Sequence, residues 1–298
     1  MNDTMSHLKA IFVLILAFTG IGKVSAQLDT IHRIPPMHCR VNASIQKHYV
    51  YISTPKNNSF NVQVTDGSGN PLPNSPFQIS NNSPKRIFVG NGQSPATELM
   101  VPNDSLGVVL KSRGLTLKAS KPFYANARYR DLRQAASLTA KGQAAEGKTF
   151  RIGAMPLPQR NNSFVSRNFV TGIQATEDNT TVKIKDYNKN VEFEWGKSNN
   201  LNLNQDSLNI KLNEGETYVL SGYTDIQANL EGFVGALIES DKPIVVNTGN
   251  YLGTIGKNTG QDAGIDQIVP EENTGKKYAL VEGEGPAKQE KVLVVANY

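Results

Sequence analysis

Hydrophobic and polar residues alternate in short runs along most of the chain, which has 298 residues. Alternation with a period of two is typical of β-strands that bury one face, and turn signals rich in Gly, Asn and Asp separate the runs. Strands of about six residues at intervals of about ten residues favour β-sandwiches, with a closed propeller-like array as the alternative. Only the Ala- and Gln-rich stretch 132–145 could form a helix. The predicted strands are 48–53, 60–65, 86–90, 97–101, 108–111, 115–118, 123–129, 149–153, 169–176, 181–185, 191–195, 209–212, 217–221, 234–239, 244–247, 277–282 and 292–296.

The same pattern contains an internal repeat. The sequence GLTLKASKP at 114–122 aligns without a gap with GALIESDKP at 235–243, and a short run ending in Asn126 or Asn247 follows each copy. Proline has no N–H and fixes φ, so we expect each Lys-Pro to place its proline at the first residue of a strand. The alignment predicts two homologous β units in tandem.

Weaker matches extend the repeat and divide the chain. Residues 62–66 align with 173–177, and strands that begin with lysine start at Lys47, Lys148 and Lys276. Because the last of these units would stop before its hairpin partner, we expect the chain to be a fragment of a longer protein. Alternatively, its last strand pairs with the first unit and closes the fold. The predicted parts are a lead segment at 27–46, a first β unit at 47–147, a second β unit at 148–275 and the start of a third at 276–298.

The first 26 residues have the pattern of a secretory signal peptide. Lys9 precedes an apolar run at 10–21, and small residues at 24–26 predict cleavage between Ala26 and Gln27. The apolar run is too short to span a bilayer, and no other stretch is apolar enough for a transmembrane helix. We therefore expect a secreted protein at the outer cell surface, without a transmembrane segment once the signal is removed.

Composition excludes several kinds of site. The single cysteine, Cys39, rules out an intrachain disulfide and a cysteine-based zinc site. The last of four histidines is His48, which argues against a His-dependent catalytic triad. The net charge of +5 is a mild bias, and basic residues are scattered apart from Arg128, Arg130 and Arg133, which we interpret as a solvated strand end. We therefore predict no nucleic-acid partner.

One group near the N-terminus has the chemistry of metal ligands. Imidazole and thiolate groups from His32, His38, Cys39 and His48 could bind zinc or copper. The segment contains two prolines, however, and lacks a regular short ligand spacing. We predict no metal site there and interpret Cys39 as a small buried hydrophobe.

Calcium is the only remaining candidate cofactor, with candidate ligands in the acidic loops. The pattern Asp66-x-Ser68-x-Asn70 resembles the start of a calcium loop, although a hairpin turn fits it better because further carboxylates are missing. The densest acidic patch could bind calcium or form a solvated loop between units. Its members are Asp262, Asp266, Glu271 and Glu272.

No catalytic or binding residue is assigned from the sequence. Acidic residues are too common for a pair of carboxylates to indicate glycoside hydrolysis. A carbohydrate-binding face would need exposed aromatic residues, and the only tryptophan is Trp195. Period two places Val191 and Phe193 on the same side of a strand as Trp195, with Glu192 and Glu194 opposite, which predicts a half-buried strand with Trp195 in the core.

Six short stretches carry a resemblance to a known family. They are 34–36 (IPP), 49–55 (YVYISTP), 175–182 (ATEDNTTV), 212–218 (LNEGETY), 240–249 (SDKPIVVNTG) and 264–270 (GIDQIVP). They resemble the N-terminal domain of IgGFc-binding-type proteins, in its bacterial branch, and the resemblance covers about 28–298. It implies the N-terminal part of a large surface protein of gliding bacteria that use type 9 secretion. It also implies a binding domain without a catalytic motif; immunoglobulin is a partner by family name only, and no functional residue is carried over.

Together these features predict a secreted all-β adhesin or ligand-binding module that is not an enzyme. An extracellular glycan or glycoprotein is the expected ligand, bound on exposed loops and strand faces rather than in a deep cleft. A passive stalk or matrix module is the alternative, and a secreted polysaccharide-active enzyme is a third class.

Overall fold

The structure is a computed structural model that describes residues 27–39, 47–91, 97–130, 135–154, 168–194, 207–223, 226–253, 262–281 and 292–296. These residues form β-strands joined by turns and by 3₁₀ turns at Asn103–Ser105, Gly142–Ala145, Gln227–Asn229 and Glu271–Asn273. The predicted all-β fold is confirmed. The strands are β1 (Asp29–Ile34), β2 (Met37–His38), β3 (Lys47–Ser53), β4 (Phe60–Asp66), β5 (Phe77–Ile79), β6 (Lys85–Gly90), β7 (Met100–Val101), β8 (Val109–Leu110), β9 (Leu115–Arg130), β10 (Ala135–Thr139), β11 (Gly147–Arg151), β12 (Asn168–Ala175), β13 (Thr180–Lys185), β14 (Ser207–Leu212), β15 (Thr217–Tyr223), β16 (Leu237–Gly253) and β17 (Asp262–Gln267).

The first unit is built around β9, a strand of 16 residues. The N-terminal half of β9 pairs with β1 and β4, while its C-terminal half pairs with β3 and β10. Strands β5 and β6 extend the two halves, so that the order is β5-β4-β9-β3-β6 with β1 and β10 also paired to β9. The result is a β-sandwich-like unit in which one long strand serves both sheets.

The second unit repeats this topology around β16, a strand of 17 residues. Its N-terminal half pairs with β11 and β13, and its C-terminal half pairs with β12 and β17. The order is β14-β13-β16-β12-β15. The short strand β8, from the first half of the chain, pairs with the free edge of β15 and extends this sheet. Each strand of the second unit therefore has a counterpart in the first.

The register of pairing confirms the internal repeat. Tyr49 pairs with Arg128 in the first unit and Val170 pairs with Gly249 in the second, which is the same offset of 121 residues on both strands (49 to 170 and 128 to 249). The irregularity in the pairing of β1 with β9 also recurs between β11 and β16. The two units are thus homologous strand by strand.

The position predicted for the Lys-Pro prolines is wrong in one respect. Pro122 and Pro243 lie inside the long strands β9 and β16 rather than at the first residue of a strand. They occupy the point where the long strand changes partners, and a residue without an N–H loses no ladder bond there. A threonine hydroxyl donates to each proline carbonyl, from Thr54 to Pro122 at 2.9 Å and from Thr176 to Pro243 at 2.6 Å.

Three further expectations are corrected. The helix at 132–145 does not form in the described part, because 135–139 alternate exposed and buried residues and pair with β9 as strand β10. The match of 62–66 with 173–177 joins strands that are not equivalent. It aligns β4 with β12, whereas the strand of the second unit that has the same partners as β4 is β13. The predicted strands at 277–282 and 292–296 have no strand pairing where they are described.

Each unit has its own hydrophobic core, and the two cores meet. Phe123, Leu117 and Val50 belong to the core of the first unit, and Phe150, Phe193 and Phe233 belong to that of the second. Two valines of the second unit, at 170 and 219, pack in the core of the first. The units therefore share an apolar interface.

A buried polar layer lies beside this interface. The segment between β1 and β2 crosses the face of β12, where a Cβ on Gly172 would lie 2.0 Å from the carbonyl oxygen of Pro36. The side-chain amide of Asn247 donates to the carbonyl of Pro35 at 2.7 Å, and Gln267 donates to that of Arg33 at 2.9 Å. Close backbone approach and satisfied polar groups thus hold the units together.

Candidate ligand-binding face

Strand β3 presents two tyrosines on the outer side of the first unit. His48, Val50 and Ile52 are buried, so period two places Tyr49 and Tyr51 on the opposite side. Tyr51 is 36% exposed. The local sequence thus buries the aliphatic residues of this strand and turns its aromatic residues towards solvent.

Neighbouring strands complete a lattice of side chains around these tyrosines. One row across the sheet pairs Phe88 with Tyr49, Tyr49 with Arg128, and Arg128 with Ser137. The next row runs from Arg86 through Tyr51 and Asn126 to Thr139 in the same way. Tyr124 follows on β9, paired with Ser53. We call the outer side of β6, β3, β10 and residues 124–130 of β9 the aromatic face.

Rings and guanidinium groups contact one another on the aromatic face. The rings of Tyr49 and Phe88 meet edge to face at 5.6 Å between centroids. The guanidinium carbon of Arg86 lies 5.0 Å from the centre of the Tyr49 ring, and that of Arg128 lies 5.0 Å from the centre of the Tyr51 ring. Contacts of this kind hold flexible arginine side chains in place on the sheet surface.

A hydrogen-bonded polar cluster borders the rings. The amide nitrogen of Asn126 donates to the hydroxyls of Ser137 at 3.0 Å and Thr139 at 2.9 Å. The Nε of Arg128 donates to the side-chain oxygen of Asn126 at 3.1 Å. The face therefore combines apolar rings with oriented polar groups, which is the usual composition of a ligand site.

The aromatic face also carries only positive charge on its strands. The strands that form it carry no Asp or Glu. Its basic residues are exposed, and none of them forms an ion pair with any residue that the structure describes. They are Lys47, Arg86, Arg128 and Arg130.

The equivalent face of the second unit is buried instead. Every residue of β12 and of β15 is buried, because the first unit and the segment at 35–38 cover them. By register, Val170 occupies the position of Tyr49, Gly172 that of Tyr51, Ser221 that of Phe88 and Gly249 that of Arg128. The same sheet position thus holds large exposed side chains in one unit and small buried ones in the other.

Comparison with known proteins places the chain in a family. The family model described as "IgGFc binding protein" matches residues 135–298, which is more than half of the sequence. The chain belongs to the IgGFc-binding protein family. The matched residues of this family member contain β10 and the whole second unit, whereas β3, β6 and β9 of the aromatic face precede them.

Other comparisons add little to the family assignment. No curated protein matches the chain. Among solved structures, the N-terminal CBM22-1-CBM22-2 tandem domain of Xyn10C from Paenibacillus barcinonensis is 9% identical over 71% of this chain and 81% of its own, with a TM-score of 0.15. A likeness this weak supports no conclusion on fold or ligand. Among the described residues, no helix has the length and apolar character needed to cross a membrane.

The buried histidines near the N-terminus have separate hydrogen-bond partners. His32 Nε2 donates to the carbonyl of Phe123 at 2.8 Å, and burial lowers the pKa of His32. His38 Nδ1 donates to the carbonyl of Val101 and His38 Nε2 bonds the Tyr223 hydroxyl, both at 2.8 Å. Across the described residues, no cluster of three or more His, Cys, Asp or Glu is placed to hold a metal ion.

The acidic loops have structural partners. Within the turn 66–70, Oδ1 of Asp66 accepts from the backbone N–H groups of Ser68 and Asn70, both at 2.9 Å, and Oδ2 accepts from the side-chain amide of Asn70 at 3.2 Å. The turn interpretation is confirmed. In the denser patch, Asp266 pairs with Lys141 at 2.7 Å and Glu272 accepts from the backbone of Lys148 at 3.0 Å. Both contacts link segments that are distant in sequence.

Two predictions depend on residues outside the described ranges. Trp195 and Ala26 are not described, although Gln27 is the first described residue and is exposed. Val191 and Phe193 are buried, as the alternation at 191–195 predicts, but no strand forms over the described residues 191–194. The signal cleavage between Ala26 and Gln27 stays a prediction.

The aromatic face was not predicted from the sequence, because tryptophan was taken as the marker of a carbohydrate-binding face and the exposed tyrosines and phenylalanine were not considered. The signal was the alternation in KHYVYIS at 47–53, where two tyrosines share a side opposite Val50 and Ile52. Phe88 has the same relation to Ile87 and Val89 in KRIFVG at 85–90. The arginines interpreted as a solvated strand end belong in part to this face, since Arg128 stacks on a tyrosine.

The burial of Cys39 can be tested by the reactivity of its thiol. Its side chain is 1% exposed and packs in the core of the first unit, in agreement with its interpretation as a small buried hydrophobe. We expect the thiol to react with a soluble disulfide reagent at least roughly 100-fold more slowly in the native protein than in denaturant. The measurement is the rate of thiolate release by absorbance. Equal rates in both states would contradict the burial of Cys39.

Proposed function

We propose that the protein is an extracellular binding module that holds a glycan on the aromatic face and so acts as an adhesin. The observation that supports it is the group of exposed rings beside oriented polar side chains. Phe88 is 56% exposed, Tyr124 is 39% exposed, and Tyr51 lies between them. Exposed aromatic clusters of this kind on a rigid sheet mark interaction sites.

The chemistry of the aromatic face suits a sugar. A pyranose ring has an apolar C–H surface that packs against an aromatic ring, and hydroxyls around its edge that need hydrogen-bond partners. Tyr51 and Phe88 offer the ring surface, while Arg86, Asn126 and Ser137 offer donors and acceptors beside it. An open sheet face admits an extended chain of sugars without a deep cleft.

The proposal places the protein outside the cell. It includes secretion after cleavage between Ala26 and Gln27, the bacterial branch of the family, and type 9 secretion in a gliding bacterium. We also infer units at 47–147 and 148–275, to which the lead segment adds strand β1 by its pairing with β9. Membership of a family named for binding supports a binding role rather than catalysis.

A binding array tests the proposal. The purified protein is applied to glycans, mucins, matrix proteins and immunoglobulins, and saturable binding to a glycan is expected. Tyr51→Ala and Phe88→Ala should each weaken that binding by about tenfold, because each removes a ring that packs on the sugar. Circular dichroism checks that the variants are folded.

Tyr278→Ala is the matched control. This tyrosine is 73% exposed, lies outside the aromatic face, and its replacement should leave the affinity unchanged. Equal affinity of all three variants would contradict the proposed site. A folded protein that binds nothing would favour the stalk, and binding to immunoglobulin alone would replace the glycan as ligand.

A further inference from the structure

We propose that the aromatic face selects an anionic glycan, with carboxylate or sulfate groups that pair with Arg86 and Arg128. This inference rests on the proposed function, because it names the chemical class of the ligand of that same face. Its starting point is the charge of the face, which has exposed basic residues and no acidic residue on its strands.

The two arginines lie on opposite sides of β3. Arg86 on β6 is paired with Tyr51 but stacks on Tyr49, and Arg128 on β9 is paired with Tyr49 but stacks on Tyr51. Neighbouring strands are about 4.8 Å apart, so the backbones of β6 and β9 are separated by roughly 10 Å across β3. A glycan that crosses the sheet could therefore meet both cations.

The stacking leaves the arginines able to bind an anion. A guanidinium group uses its flat surface against a ring, so its N–H donors remain around the edge. Arg128 donates one of its N–H groups, at Nε, to Asn126, which leaves its terminal nitrogens for a ligand. Because no carboxylate of the described residues pairs with Arg86 or Arg128, an incoming acidic group displaces no internal partner.

Acidic sugars match this arrangement better than neutral ones. A carboxylate or sulfate forms charge-assisted, often bidentate hydrogen bonds with arginine, which are about twice as strong as bonds between neutral groups. Several acidic groups along one chain can engage both arginines and gain from their proximity. Single-stranded nucleic acid also combines anions with flat rings. The proposed location outside the cell, which membership of a family named for an extracellular ligand supports, favours the glycan over nucleic acid.

Matched polysaccharide pairs test the inference. The probes are polygalacturonate with its methyl-esterified form, a sulfated galactan with its desulfated form, and a single-stranded oligonucleotide. We expect at least one acidic member to bind about tenfold more tightly than its neutral counterpart at low salt, with the preference shrinking as salt is added. The pair with the larger preference identifies carboxylate or sulfate as the recognised group.

Charge-neutral variants separate this inference from the proposed function. The double variant Arg86→Gln/Arg128→Gln should lose most of the acidic preference, whereas Lys183→Gln/Lys211→Gln removes the same charge from exposed positions of β13 and β14 and should retain it. Equal binding of acidic and neutral members that still depends on Tyr51 would overturn the inference and leave the proposed function intact. Tightest binding of the oligonucleotide, or no glycan binding at all, would overturn both.

Discussion

Gly172→Ala is expected to lower the free energy of unfolding by about 3 kcal/mol or more. A Cβ at this position would lie 2.0 Å from the carbonyl oxygen of Pro36 and 3.1 Å from its carbonyl carbon, so the backbone of the segment between β1 and β2 would have to move. That movement would pull Pro35 from the amide of Asn247. Denaturant unfolding followed by circular dichroism measures the effect.

Gly153→Ala is the control for this substitution. A Cβ at Gly153 meets no atom within 4 Å, and neither glycine has a positive φ, so Gly153→Ala makes the same change of residue without the clash. Gly153→Ala should change the free energy of unfolding by less than about 1 kcal/mol. Similar stabilities of both variants would show that the lead segment does not lie on β12 as the structure has it.

Asn247→Ala is expected to destabilise the protein by about 3 kcal/mol. Asn247 is fully buried, donates to Pro35 at 2.7 Å, and accepts from the Gln267 amide at 3.1 Å. Its removal leaves the Pro35 carbonyl without this donor in a place that water does not reach, and also leaves a cavity. Thermal unfolding of the purified protein measures the loss.

The internal repeat supplies the matched variant Asn126→Ala. Asn126 has the same position on β9 that Asn247 has on β16, but it lies on the half-exposed aromatic face where water can replace its bonds to Ser137 and Thr139. We expect a loss below about 1 kcal/mol. Equal losses at both positions would contradict the assignment of one face as buried and the other as open.

The internal repeat could be predicted from the sequence because its matching residues are contiguous and belong to the same strand of each unit. The Lys-Pro stretches at 114–122 and 235–243 both run into the first half of the long central strand of their unit. The strands that pair with this central strand could not be predicted in the same way. The matches of 62–66 with 173–177 and of Lys47 with Lys148 joined strands with different neighbours, because similar short β patterns serve at several positions of a sheet.

The alternation along the chain by itself determined that the protein is all-β and which residues of β3 share a side. It did not determine which outer sides stay open to solvent. Tyr49 and Val170 hold the same position in homologous units, yet one is on an exposed face and the other is in a shared core. That difference arises because the first unit and the segment at 35–38 cover this face of the second unit, and these contacts join residues far apart in sequence. Period two separates the two sides of a strand, whereas only the packing of one unit against the other decides which of them meets water.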